Sequence, residues 1–139
     1  MQADFGAGVT QRAVLGGLGS GSSTFTAAAN IQLDTTRAVT LQAGTGGMVT
    51  FANSWTVHNQ ASNPVKAPSL TFGSAGNAGT VVINNTISSQ AYAVSLGTAR
   101  FGGADVFLDQ TSPVTVGSTL GAATLDFGGF SQTLANVLF

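Results

Sequence analysis

The chain contains no cysteine and no glutamate, and it has one lysine, Lys66, and one histidine, His58. The first absence excludes a disulfide framework and thiolate metal sites. Charged residues make up 6% of the chain, against about 25% in ordinary soluble domains. The residues that usually cover exposed helix faces are therefore nearly missing, and no helix longer than a turn is expected. Four scattered basic residues, Arg12, Arg37, Lys66 and Arg100, and a net charge of −1 give no electrostatic footprint for nucleic acid or an anionic membrane surface. No apolar run approaches the roughly 18 residues of a membrane helix, and Met1-Gln2-Ala3-Asp4 lacks the start of a signal peptide. The strand signals are also shorter than the about 9–11 residues with which a transmembrane barrel crosses a bilayer, so no membrane insertion is expected.

What the chain has in quantity is glycine, 19 residues, within a sequence that is 43% hydrophobic. Glycine-rich corners recur at residues 16–17, 44–47, 73–79, 97–103 and 128–129. Most introduce a short apolar-polar-apolar segment, the period of two expected of a half-buried strand. The inward anchors of successive first strands read as Phe25, Phe51, Ile83, Leu108 and Leu134, with steps of 26, 32, 25 and 26 residues by subtraction. A repeat of that size points to coils stacked along one axis. The expected fold is all-β, a parallel β-solenoid of five to six triangular coils with three short strands each. Val39-Thr40-Leu41, Leu70-Thr71-Phe72, Val94-Ser95-Leu96 and Leu125-Asp126-Phe127 fall on its third face. The whole chain reads as one domain, with residues 1–23 a less regular first coil and residues 58–68 an inserted surface loop.

Candidate chemistry is thin. Asp105 and Asp109 flank one strand region at about 13 Å, too wide for the carboxylate pair of a glycosidase. His58 has no second histidine or nearby carboxylate in sequence for zinc or a triad. No catalytic residue, metal or cofactor is assigned. The inserted loop, with Trp55, His58, Asn59, Gln60, Asn63 and Lys66, is the best place for partner recognition, because loops on rigid scaffolds carry function. Two residues past the anchors stand Asn53, Asn85, Gln110 and Asn136, which read as a structural ladder of turn amides. Neither end carries a charged cap, so Phe5, Val9, Leu134, Val137 and Phe139 are candidates for end-to-end stacking with further copies.

Residues 125–134, Leu-Asp-Phe-Gly-Gly-Phe-Ser-Gln-Thr-Leu, resemble the "LDL-N-G-x-x-Q-T-L" phrase of autotransporter-associated β-strand repeats, with Gly128 where that family usually has Asn. Residues 39–51 resemble the same glycine-punctuated style. The resemblance implies a right-handed parallel β-helix exported to the bacterial surface as part of a longer passenger, serving as adhesin, fibre or stalk. Its partners would be flanking repeats or copies of itself, and cell-surface glycans or neighbouring surfaces. This chain contains no translocator barrel. Two other classes are weighed: a polysaccharide-active β-helix enzyme, and a carbohydrate- or ice-binding β-helix. For ice binding, only Thr24-Phe25-Thr26 offers two outward threonines in one strand.

Overall fold

The computed structural model describes residues 2–4, 13–26, 31–34, 39–58, 69–107 and 111–139. Among them there is no helix. The strands are β1 (Gln2–Asp4), β2 (Ala13–Gly16), β3 (Ser22–Phe25), β4 (Ile31–Asp34), β5 (Val39–Gln42), β6 (Met48–Phe51), β7 (Trp55–His58), β8 (Leu70–Phe72), β9 (Thr80–Ile83), β10 (Ile87–Ser88), β11 (Tyr92–Val94), β12 (Gly97–Phe101), β13 (Val114–Val116), β14 (Ala123–Asp126) and β15 (Val137–Leu138). They form three sheets, ordered β1-β4-β7-β10, β2-β5-β8-β11-β13-β15 and β3-β6-β9-β12-β14. Every pairing between these strands is parallel. Phe107 bridges to Ile87 and carries the first sheet one step further. Successive strands thus visit the first, second and third sheets in rotation, an arrangement consistent with a β-solenoid.

Alternation decides which way each strand faces. Val39 and Leu41, Leu70 and Phe72, and Tyr92 and Val94 point inward from the second sheet. Val49 and Phe51, Val81 and Ile83, and Ala99 and Phe101 do so from the third. All belong to one buried cluster. Each fully buried Val, Leu, Ile or Phe contributes about 1.5–3 kcal/mol, so these inward columns are the main stabilising term.

Phe25, Phe51 and Ile83 stand in register on the third sheet, as the repeat predicts. From there the phase differs. The next residue in line is Phe101, 18 residues on by subtraction, and Arg100 pairs with Asp126 a further 26 on. Phe107, the neighbour of the expected anchor Leu108, belongs to the first sheet; Val114–Val116 lies on the second and Leu125 on the third. An even repeat would set residues 106–108 beside Ile83 and Leu125 beside Val94, so both stand one sheet on from the place it gives them. On the second sheet the strand is Tyr92–Val94, two residues before the expected Val94–Leu96. The reason is a shortened corner: only Ser95 and Leu96 separate β11 from β12, whereas residues 73–79 separate β8 from β9. Residues 97–103, expected as a corner, contain all of β12. The surplus length falls between β7 and β8, where residues 59–68 lie outside the described residues.

The glycines entering the third sheet have a steric role. The amides of Met48, Thr80 and Thr98 donate to the carbonyls of Gly21, Gly47 and Gly79, at 3.1, 2.9 and 3.0 Å. A Cβ on Gly47 would meet the Gly19 carbonyl oxygen at 2.3 Å, and one on Gly79 the Gly44 oxygen at 2.2 Å. At Gly97 it would meet the Gly79 oxygen at 2.4 Å, and there φ is also +74°, a left-handed backbone that favours glycine. Side chains in this column would push successive rounds apart.

Gly79→Ala is therefore expected to destabilise the protein by about 1–3 kcal/mol, as overpacking does. Gly21→Ala, in the same file but with nothing within 4 Å of the added carbon, should stay within about 0.5 kcal/mol. Urea unfolding of both variants checks the contrast. Equal effects would remove the steric account.

Candidate functional site

Corners are where this chain concentrates its polar side chains. Between the second and third sheets, Ser74 Oγ donates to Gln42 Oε1 at 2.5 Å and accepts from Asn77 Nδ2 at 3.0 Å. Thr45 Oγ1 donates to the Gly76 carbonyl and accepts from the Ala78 amide, both at 3.3 Å. Between the third and first sheets, Ser54 Oγ donates to Asn85 Oδ1 at 2.9 Å, the Thr86 amide donates to the same oxygen at 2.8 Å, and Thr86 Oγ1 donates to Ser54 Oγ at 2.9 Å. The bonds of Ser74 to Gln42, of Thr45 to Gly76 and Ala78, and of Ser54 to Asn85 and Thr86 join consecutive rounds, while Asn77 to Ser74 and the Thr86 amide to Asn85 close their own corners. Of the expected amide ladder, Asn53 is half-buried and Asn85 exposed at this corner. Asn136 stands elsewhere, before β15, where its carbonyl accepts the Val114 amide at 2.9 Å. Gln110 lies outside the described residues.

The segment 125–134 forms a strand, a turn and a clamp. Asp126 Oδ1 accepts the Gly128 amide at 2.9 Å, and the Phe130 amide closes on the Phe127 carbonyl at 2.9 Å. A Cβ at Gly128 would meet the Phe101 carbonyl oxygen at 2.1 Å, which excludes the Asn of the resembling phrase from this position. Gln132 then reaches back to the preceding round: Oε1 accepts the Val106 amide at 2.9 Å and Nε2 donates to the Gly103 carbonyl at 2.6 Å. Asp105 Oδ1 accepts the Thr133 amide at 2.8 Å. Asp105 is thus committed to a turn, and Asp109 lies outside the described residues.

Asp126 also pairs with Arg100, Nε to Oδ2 at 3.4 Å, with both side chains about half exposed; such a surface pair is worth about 0–1 kcal/mol. The register of the first sheet sets Asp4 opposite Asp34, and Asp34 opposite His58. This file was invisible in the sequence, because residues far apart in the chain become neighbours only through strand pairing. No group of three or more His, Cys, Asp or Glu able to hold a metal occurs among the described residues. Trp55 lies in β7 between Ile31 and Ile87, and His58 ends that strand. Asn59, Gln60, Asn63 and Lys66 lie outside the described residues, so the structure leaves the expected recognition loop undescribed.

The other feature is the state of the sheet edges. On the second sheet β2 and β15 are the outermost strands, and on the third β3 and β14. Exposed apolar side chains gather near them: Val14 and Leu18 at one end, Phe127, Phe130, Leu138 and Phe139 at the other. Of the residues expected at the stacking ends, Leu134 and Val137 are partly buried against the core and Phe139 is exposed. Phe5 and Val9 lie outside the described residues.

Tyr92 is the buried group that alternation alone did not reveal. Its ring stacks on Phe107 with centroids 3.8 Å apart, and Phe107 meets Phe101 edge-on at 4.9 Å. The hydroxyl donates to the Ile87 carbonyl and accepts the Ser89 amide, both at 3.0 Å. Burial pushes its phenol far above the ordinary value, only partly opposed by the bond from Ser89. A raised folded value means that stability from the neutral phenol is fully present below the unfolded value of about 10 and is lost as pH climbs above it.

As Tyr92 is the chain's single tyrosine, phenolate absorbance should appear only together with unfolding. Tyr92→Phe should weaken the protein by about 1–2 kcal/mol at neutral pH and remove this source of alkaline sensitivity. Ionisation near pH 10 in a still folded protein would contradict the placement.

Compared with known proteins, the chain matches no family model, no curated protein and no solved structure.

Proposed function

We propose that the chain is a structural module: a right-handed parallel β-helix with three strands per coil, forming a segment or subunit of an extracellular bacterial surface fibre or adhesin. The observation that carries this reading is the use of its polar groups. Ser54, Ser74, Asn85, Asp105 and Gln132 bind corner to corner between rounds. Meanwhile the outer edges of the second and third sheets lie open among the described residues. A chain organised in this way resists unwinding and offers its ends for continuation, by further coils or by another copy. The likeness of residues 125–134 to autotransporter-associated repeats supports the surface setting, and no catalytic role is proposed.

One observation favours a second reading, binding through a flat outer face. On the third sheet Thr80, Thr98 and Thr124 are register neighbours, as are Thr24 and Thr50. Two partial threonine ranks therefore share one face, which the sequence did not show. Val82 and the Arg100–Asp126 pair interrupt the second rank, so the structural reading is preferred.

Electron microscopy of the purified chain tests the proposal. Rods about 20–30 Å across, lengthening with concentration, are expected of a stacking solenoid, with a repeat of about 4.8 Å along the rod. Monodisperse single copies at high concentration would contradict self-stacking, and turnover of any member of a glycan panel would contradict a non-catalytic role.

A further inference from the structure

We propose that Asn84 is the attachment site of an N-linked sugar, carried at the corner between the third and first sheets. The inference rests on the surface setting proposed above and names a modification that belongs to it. Of the eight asparagines in the chain, only Asn84 is followed two residues on by serine or threonine, in Asn84-Asn85-Thr86. This is the Asn-x-Ser/Thr spacing of an acceptor for asparagine-linked sugar.

The corner uses its two adjacent asparagines in opposite ways. Asn85 Oδ1 accepts from Ser54 Oγ at 2.9 Å and from the Thr86 amide at 2.8 Å. Asn84 is exposed, and its backbone amide donates to the Phe51 carbonyl at 3.0 Å. Its carboxamide has no hydrogen-bond partner among the described residues, so joining a sugar to Nδ2 breaks no bond of the fold. The neighbouring rounds also leave room. The same ladder of amides sets Ala52 in the round before and Gly102 in the round after, bonded to the carbonyls of Phe25 and Ile83. Rounds follow at about 4.8 Å, and neither neighbour carries more than a methyl group. At Gly102 this is required, because a Cβ there would run into Asn84 Oδ1. The root of a branched sugar is therefore clear on both sides.

Transfer joins Asn84 Nδ2 to the anomeric carbon of a sugar activated through phosphate. The new carbon–nitrogen bond forms as the bond from that carbon to the phosphate oxygen breaks. The phosphate leaves with the electron pair, and one amide proton passes to a base of the transferring enzyme. In the folded corner the Thr86 hydroxyl donates to Ser54 Oγ at 2.9 Å, so an enzyme that reads this hydroxyl acts before the corner closes. The folded coil then holds the sugar outward.

Mass spectrometry of the chain recovered from fractionated source cells tests the site. Cleavage after Lys66 and Arg100 releases residues 67–100 as one peptide. In chain from the cell surface this peptide should be heavier by one or more whole sugar residues, with the added mass on Asn84. The Asn84→Gln and Thr86→Val variants should lose the added mass, and Thr86→Ser, which keeps the hydroxyl, should retain it. Made without the sugar, Asn84→Gln should unfold at the same urea concentration as the parent chain. An unmodified peptide in surface chain would overturn the sugar site and leave the surface setting intact. Unmodified chain found only inside the cells would overturn both. Added mass that persists in Asn84→Gln would also overturn the assignment.

Discussion

Backbone must approach backbone where the chain turns onto the third sheet, and the rest of the fold depends on that approach. The carbonyls of Gly21, Gly47 and Gly79 receive the amides of Met48, Thr80 and Thr98, at or next to the starts of β6, β9 and β12. At Gly47 and Gly79 a single carbon on the glycine would sit within 2.3 Å of a carbonyl oxygen of a neighbouring round. With that column closed, parallel strands keep their spacing of about 4.8 Å. The inward residues of each sheet then fall into line, and Phe25 stacks on Phe51 at 4.9 Å.

Corner length varies within this constraint, and the shortest corner among the described residues lies beside a cluster of aromatic rings. Where Ser95 and Leu96 alone join β11 to β12, Tyr92 from the second sheet and Phe101 from the third meet around Phe107 beside the first. Phe72 completes the group, 6.1 Å from Phe107. One aromatic cluster thereby ties all three sheets across the axis, and the single tyrosine keeps its hydroxyl bonded to the Ile87–Ser89 corner.

Alternation and glycine punctuation made the all-β class, the parallel stacking and the first three anchors legible in the sequence. The later phase was hidden because corner length carries no periodic signal. Val94 belongs equally to Tyr92-Ala93-Val94 and Val94-Ser95-Leu96, and only the pairing of Tyr92 with Leu70 and Val114 chooses between them. Gly97 misled in a similar way: it looks like a corner but begins a strand, because it is needed where backbones touch. At the corners the amide of Asn85 was legible, whereas its partner Ser54 was not, since a serine in a turn has no pattern of its own. The alignment of Asp4, Asp34 and His58 depends on register alone.

The central claim is a parallel stack whose third sheet steps from Ile83 to Phe101 through a shortened corner. Nuclear Overhauser contacts between strands measure that step directly. The account predicts contacts linking Thr98, Ala99, Arg100 and Phe101 with Thr80, Val81, Val82 and Ile83 respectively. Contacts joining residues 106–108 to residues 81–83 instead, as an even repeat would require, would contradict it.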